Sequence, residues 1–198
     1  MLVVGLTGGL ATGKSTVTAM FARLGAKVVD TDKIVHQEMR RGGRCYAPVI
    51  RAFGKQVAGK NGIDRRKLAA IVFNDRRKLK RLERIVHPQV ALGLEEEIAK
   101  YRNKRVAVIE VPLLFEAGFD RYVDTAIVVT AKRDAQIQRA AKSLKLTRTE
   151  ALRRISAQMP LRDKIRRADI IIDNNKTKTQ THKQVKAIWQ KLTQRAKK

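Results

Sequence analysis

Met1-Leu-Val-Val-Gly-Leu-Thr-Gly-Gly-Leu-Ala-Thr-Gly-Lys-Ser-Thr16 opens the chain, and its reading decides the fold. Gly8, Gly13, Lys14 and Ser15 stand at the spacing G-x-x-x-x-G-K-[ST] of a P-loop. The apolar run Leu2–Leu6 ahead of it reads as a buried strand. Behind it, Val17, Met20, Phe21 and Leu24 recur at i, i+3, i+4 and i+7, one face of a helix. Strand, glycine turn and helix in that order give the motif its physics. Glycines let the backbone curl so that N–H groups point inward, and the helix N-terminus adds partial positive charge. Lys14 then reaches β- and γ-phosphates, and the Ser15 hydroxyl is placed to ligate Mg²⁺. The competing reading is a tight strand-to-helix turn with an incidental lysine. Full motif and both flanks together favour a nucleoside triphosphate, held by Gly8, Gly9, Ala11, Thr12, Gly13, Lys14, Ser15 and Thr16.

Working outward, 198 residues suffice for one α/β domain with a real core and a small insertion. No apolar run approaches the ~20 residues of a membrane span, and no signal peptide precedes the first strand. The single cysteine, Cys45, cannot form an internal disulfide, and no Cys/His cluster has metal spacing. These features predict a cytoplasmic protein without a membrane partner. Charge is the unusual property: 44 Lys+Arg against 18 Asp+Glu give +26. Such an excess favours anionic partners. It is spread along the chain: 60–84 alone holds ten basic and three acidic residues, and nothing after Asp173 is acidic. Because no aromatic platform is interleaved with these charges, they read as a solvated face. No dedicated nucleic-acid partner is expected, only non-specific polyanion binding.

Lys27–Asp30 reads as a second strand, which puts Asp30-Thr31-Asp32 at its carboxyl end, where open α/β sheets bind ligands. An aspartate there can orient or deprotonate an acceptor hydroxyl, or simply N-cap the helix expected over Lys33–Arg41. On geometry alone both readings stay open for Asp30 and for Asp32. From Gly42 to Arg102 the pattern is helical. A short helix carries Val49, Ile50 and Phe53 and closes at Gly54; Asn61-Gly62 turns; Asp64 caps a helix with Leu68, Ile71 and Val72. Asn74-Asp75 starts another, and Pro88 is expected to open a further one at its first position, running toward Tyr101. That is too much helix for an ordinary crossover, so it reads as an inserted lobe. His87, just before the proline, is either a cap or a ligand.

Val106–Val111 reads as a third strand ending at Glu110, an acid placed like a Walker B residue that helps hold Mg²⁺. Ala126–Val129 makes the fourth strand. Lys132–Leu144 and a capping-box helix from Thr147 to Met159, stopped by Pro160, form a basic pair suited to a lid. Arg139 on it is either a phosphate-binding lid residue or one more solvated cation. Ile170–Ile172 is the fifth strand, and Trp189 packs the last helix on the sheet.

Over nearly its full length the chain resembles the dephospho-CoA kinases. The likeness is carried by Gly5–Thr16, Val29-Asp-Thr-Asp32, His87-Pro88, Val111-Pro-Leu-Leu-Phe-Glu116, Arg154-Ile155 with Gln158, and Ile172-Asp-Asn174. The resemblance implies a P-loop kinase fold: an α/β domain with a five-stranded, mostly parallel sheet. Its core would span about 1–32, 103–131 and 168–198, with a helical CoA-binding lobe over about 33–102 and a helical lid over about 132–167. It implies transfer of the ATP γ-phosphoryl group to the ribose 3′-hydroxyl of dephospho-CoA, with Mg²⁺. It assigns the base to Asp32 and catalytic roles to Lys14 and Arg139. Asn174 joins the nucleotide site, while His87, Leu113 and Phe115 join Asp32 in binding the acceptor; Ser15 and Glu110 hold the metal. Three departures stand out. Ala11-Thr12 replaces a more glycine-rich pair, without consequence if neither needs positive φ. Lys142-Ser143-Leu144-Lys145 lacks an expected Arg-Asp-Gly, leaving Lys142 or Lys145 to replace a second lid arginine, and Glu110 stands where aspartate is common. Other readings are a different P-loop small-molecule or nucleoside monophosphate kinase, or a nucleic-acid-stimulated ATPase.

Overall fold

The computed structural model describes residues 1–72 and 75–197. Strands β1 (Leu2–Gly8), β2 (Lys27–Asp30), β3 (Val106–Glu110), β4 (Thr125–Thr130) and β5 (Ile170–Asp173) form one sheet, ordered β2-β3-β1-β4-β5. β1 pairs in parallel with β3 and β4, and β4 with β5. Parallel sheets are covered on both faces and need unbroken apolar strands. Accordingly Val106–Ile109 and Thr125–Val129 are buried throughout. The chain leaves central β1 toward β2 and later crosses to β4 on the other side. That reversal opens a ligand crevice at the carboxyl ends of the strands.

Helices α1 (Lys14–Arg23) and α9 (Lys178–Arg195) cover one face of the sheet. Val17, Phe21, Val185 and Leu192 meet Val4, Leu6, Val106, Val108, Ile127, Val129 and Ile172 in one core cluster. Each such buried side chain contributes on the order of 1.5–3 kcal/mol. Trp189 sits tilted against Phe21, ring centroids 6.4 Å apart, and so fastens α9 to α1.

The chain divides into two compact units, Met1–Val29 with Tyr101–Lys198, and Asp30–Lys100. The second is helical: α2 (Thr31–Glu38), α3 (Tyr46–Phe53), α4 (Arg65–Val72) and α5 (Arg76–Ala99). Carboxylates start its helices as the sequence suggests. Asp64 accepts from the Arg66 and Lys67 amides at 2.9 and 3.1 Å, and Asp75 from those of Arg77 and Lys78; Asn74, expected beside it, lies outside the described residues.

Two helices of this unit differ from expectation. α2 runs Thr31–Glu38 rather than Lys33–Arg41, its start capped by Asp30. And α5 runs unbroken through Pro88, where a fresh helix is expected. The missing proline N–H and ring clash cost about 3 kcal/mol, but Val86, Val90, Ala91 and Leu94 continue one buried stripe across the proline. Gly93 lets α2 approach that stripe: a Cβ there would lie 2.7 Å from Ile34 Cγ2. Arg44 ties the same region together, bonding Glu38 at 2.6 and 2.9 Å and Glu96 at 2.9 and 3.0 Å. Its guanidinium, hydrogen-bonded to Glu38, holds that carboxyl below the usual carboxylate range.

After β4 come α6 (Arg133–Leu144), α7 (Arg148–Ser156) and α8 (Leu161–Arg166). The Thr147–Glu150 capping box is present. α7 stops three residues short of Met159, and α8 is an element the sequence pattern does not announce. Pro160, three residues past the C-cap of α7, N-caps α8. Among the described residues no helix is long and apolar enough to cross a membrane.

Candidate active site

In the first unit, the loop between β1 and α1 is shaped by close approaches that exclude side chains. Gly13 has φ 96°, and a Cβ on it would fall on the Asn174 amide nitrogen. Ala11 has φ 53°, in the left-handed region. The condition under which Ala11 would be harmless is therefore not met: a β-carbon there costs on the order of 1–2 kcal/mol. The loop holds that strain against its surroundings.

What holds it is a set of donors turned onto its carbonyls. Thr12 O accepts from Asn174 Nδ2 at 2.8 Å and from Arg139 Nη1 at 3.3 Å. Arg139 Nη2 also donates to Asn174 O at 2.8 Å, and Thr181 Oγ1 donates to Asn174 Oδ1 at 2.9 Å. Gly9 O accepts the Thr12 hydroxyl at 3.1 Å and Lys14 Nζ at 3.0 Å; Lys14 also reaches Gly8 O at 3.4 Å. In a trans peptide the N–H points opposite its carbonyl. Pinning Thr12 O outward thus aims the Gly13 N–H to the other side, as an anion cradle requires. Arg139 is the least expected member. One of its five donors holds the loop at Thr12 O and another holds Asn174 O, so it is not one more solvated cation. Gln136, one turn before it on α6, is buried and presses its Oε1 toward Gly9, 3.0 Å from where a Cβ would stand.

Ser15 and Glu110, 95 residues apart in sequence, meet: Ser15 Oγ donates to Glu110 Oε1 at 2.9 Å. Register explains it, because Glu110 pairs with Leu6 of β1 and so ends β3 beside the loop. One hydroxyl and one carboxylate are the hard oxygen donors Mg²⁺ takes from protein when phosphates and water complete its shell. Among the described residues no group of three or more acidic, His or Cys side chains offers an alternative metal site. Thr16 follows in the first turn of α1 with an exposed side chain.

Beyond β3, Leu113 is exposed and Phe115 is buried beneath the Arg167 guanidinium, 4.6 Å from its ring centroid. The segment between is bolted down by Lys164 of α8, which no sequence signal marks. Its side chain is fully buried, 2.8 Å from Glu116 Oε1 and 3.0 Å from Pro112 O. Pro112 O also accepts the Thr7 hydroxyl at 3.1 Å, and Glu116 the Met159 amide. Thr181 is likewise missed, since a threonine in a helix's first turns resembles any capping residue.

In the second unit, Asp30 accepts the Asp32 amide at 2.9 Å and is the N-cap of α2. Asp32 is left exposed, its carboxylate without a hydrogen bond or ion pair among the described residues. His87 is half-buried in α5, and burial pushes its pKa down against the opposing pull of Glu83.

With this geometry in place, likeness to known proteins is informative. The dephospho-CoA kinase family model matches residues 2–180. The chain belongs to the dephospho-CoA kinase family. It is a phosphotransferase with an alcohol acceptor, of the family that performs the last step of coenzyme A biosynthesis. It is 43% identical to the dephospho-CoA kinase of Geobacillus kaustophilus over 190 residues, 94% of each chain. The Symbiobacterium thermophilum dephospho-CoA kinase is 42% identical, covering 96% of this chain and 80% of that protein. Among solved structures, TT1252 from Thermus thermophilus superposes with TM-score 0.85 at 33% identity, covering 96% and 97%. Dephospho-CoA kinase from Campylobacter jejuni gives 0.71 at 27%, covering 97% of each. A Bacteroides thetaiotaomicron shikimate kinase, TM-score 0.54 at 16% identity, shares the fold alone, over 96% and 98%.

Proposed function

We propose that this chain transfers the γ-phosphoryl group of ATP to the ribose 3′-hydroxyl of dephospho-CoA, giving coenzyme A and ADP. The observation that carries the proposal is the grip of Asn174 and Arg139 on Thr12 O, which turns the Gly13 N–H of the same peptide the other way, to the side a phosphate would take. Lys14 leaves the Gly8 and Gly9 carbonyls for the β- and γ-phosphate oxygens and follows charge as it develops on the transferred group. Ser15 and Glu110 would hold Mg²⁺, which would neutralise phosphate charge. Arg139 keeps the loop shaped and presents its remaining N–H groups to the nucleotide. Asp32, released from capping by Asp30, orients the 3′-hydroxyl and takes its proton as the new P–O bond forms and the bond to ADP breaks. Leu113 touches the acceptor, Phe115 supports the segment that carries it, and half-buried His87 serves the acceptor lobe as a neutral group. In this reading the loop of the first unit takes the phosphate donor, and Asp32 of the second takes the acceptor hydroxyl. The cytosol is the proposed compartment, supported by a single thiol, Cys45, that is buried and pushed up to about 11 by that burial.

Labelled ATP offered with a panel of hydroxyl and nucleotide acceptors tests the reaction. Label on the 3′ position of dephospho-CoA is the expected result. Preferential transfer to shikimate, gluconate or a nucleoside monophosphate would overturn it.

A further inference from the structure

Beyond β3 the chain makes a turn that a single ammonium grips at both ends. Lys164 of α8 bonds Pro112 O at 3.0 Å and Glu116 Oε1 at 2.8 Å. Within the turn the Ala117 amide donates to Leu113 O at 2.9 Å and the Phe119 amide to Leu114 O at 2.8 Å. Leu114 is fully buried, its Cδ2 3.1 Å from where a Cβ on Gly5 of β1 would stand. Leu113, its neighbour, is turned out and 41% exposed. A large apolar side chain is thus held outward on a turn whose backbone is bonded on every side.

The carbonyl that Lys164 holds carries a second donor. Thr7, fully buried near the end of β1, gives its hydroxyl to Pro112 O at 3.1 Å. The residue after Thr7 is Gly8 of the phosphate loop. One position earlier, the Val111 amide donates to Leu6 O at 2.9 Å. Pro112 O is therefore a fixed point shared by the strand that leads into the loop and the turn that bears Leu113. The far end of the turn is tied to the helices after β4, since Glu116 Oε1 also accepts the Met159 amide at 3.1 Å, in the junction between α7 and α8.

Stability gives no reason for a lysine at this place. Its side chain is fully buried, and a buried ammonium–carboxylate pair is often equalled or bettered by apolar side chains of the same volume. Apolar side chains cannot, however, hold a carbonyl and a carboxylate in fixed directions. We propose that Lys164 is a positioning residue for phosphoryl transfer. By pinning Pro112 O beside Thr7, and Glu116 beside Met159, it fixes where Leu113 stands relative to the phosphate loop. Fully enclosed, Lys164 acts on the acceptor only through Leu113. The inference rests on the reading that Leu113 touches dephospho-CoA, and it adds the device that places that contact. A misplacement of about 1 Å arising away from the reacting atoms slows an aligned reaction by up to about 10²-fold.

The test reads transfer to dephospho-CoA against acceptor-free ATP hydrolysis in the same full-length variants. Glu116→Leu combined with Lys164→Met removes both charges, so the turn stays packed without its clamp. This double variant is expected to lower kcat/KM for dephospho-CoA about tenfold or more. Acceptor-free hydrolysis and the dissociation constant for ATP stay within twofold of wild type. Thr7→Val frees the same carbonyl of one donor without touching a charge. It is expected to lower transfer about threefold, and Thr7→Ser to recover that loss. Transfer and hydrolysis falling together in the double variant would leave Lys164 a purely structural role and overturn the proposal. Transfer within twofold of wild type in both the double variant and Thr7→Val would overturn it as well. Should the double variant fold poorly, the ratio of transfer to hydrolysis in Thr7→Val and Thr7→Ser decides. Wild-type protein that phosphorylates no dephospho-CoA overturns the reaction itself, whereas wild-type transfer with unaffected variants overturns the role of Lys164 alone.

Discussion

The phosphate loop and a cavity beside α2 dispose their polar groups in opposite ways. In the loop, charged and polar side chains are spent on the protein's own carbonyls. Arg139 and Asn174 hold Thr12 O, and Lys14 rests on Gly8 O and Gly9 O. In the proposed reaction main-chain amides cradle the phosphates, and Lys14 shifts from those carbonyls onto them. In the cavity, about 510 Å³ where residues 59–65 meet the end of α2, the backbone is satisfied internally through Met39–Ile63 and Arg41–Asn61, and the cations Arg40, Lys60 and Arg65 stand exposed in the lining. A main-chain cradle has few degrees of freedom left to lose and suits a reaction that demands position. Side-chain cations on flexible stems supply charge without being aligned to a fraction of an ångström.

Removing the loop's lysine exposes the contrast. Lys14→Ala should lower kcat/KM by about 10³-fold or more, since it removes charge stabilisation specific to the transition state. Steady-state kinetics and a melting curve within a few degrees of wild type would establish that the loss is chemical. If Lys14→Ala costs no more than the ~10-fold expected for a single binding contact, the distinction between cradle and flexible cation is lost.

A smaller effect probes the segment that follows β3. Glu116→Gln leaves the fully buried Lys164 ammonium without its anion, and breaking a buried pair in this way destabilises by about 3 kcal/mol or more. Denaturant unfolding should show that loss, and the double replacement Glu116→Leu with Lys164→Met should recover much of it. Additive losses in the double variant would mean the two do not act as a pair.

The acceptor unit carries a pH signature of its own. Burial lowers the His87 pKa from 6.5, so the unfolded chain binds the proton more readily. Stability is then complete above about 6.5 and is lost as pH falls through the lower folded value. Glu38, lowered from 4.5 by Arg44, adds stability present above 4.5 that disappears as pH falls further. Unfolding followed between pH 7 and 4 should show both losses, with His87→Gln flattening the upper one. A slope unchanged by His87→Gln would assign it to other groups.

The smallest predicted change is a gain. Ala11→Gly relieves the left-handed alanine at φ 53°, raising stability by about 0.5–1 kcal/mol after the entropy cost of glycine. No gain in the unfolding midpoint would mean that the surrounding hydrogen bonds leave Ala11 unstrained.

The same contrast governs what the sequence made legible. The loop is local, so Gly8, Gly13, Lys14 and Ser15 announce it by spacing alone, and flanking periodicity supplies β1 and α1. Helix starts at Asp64, Asp75 and Thr147 were equally readable, because a cap needs only its next three residues. Non-local features were not. Pro88 signals a helix start, and only the buried stripe on both sides of it shows why α5 continues. Arg139 is one of 44 basic residues, and its contact with Thr12, 127 residues away, leaves no local trace. Lys164 is silent for the same reason: nothing in Leu161–Arg166 marks its lysine as the buried one. Asp30 and Asp32 were indistinguishable by pattern, and the Asp30–Asp32 amide bond separates them.

Single-turnover transfer from ATP to dephospho-CoA by Asp32→Asn, with both ligands saturating and their dissociation constants measured alongside, tests the central claim most directly. The expected result is a transfer rate lowered by about 10²-fold or more with both dissociation constants close to wild type. A rate within twofold of wild type would contradict it, and would remove Asp32 as the group that takes the 3′-hydroxyl proton.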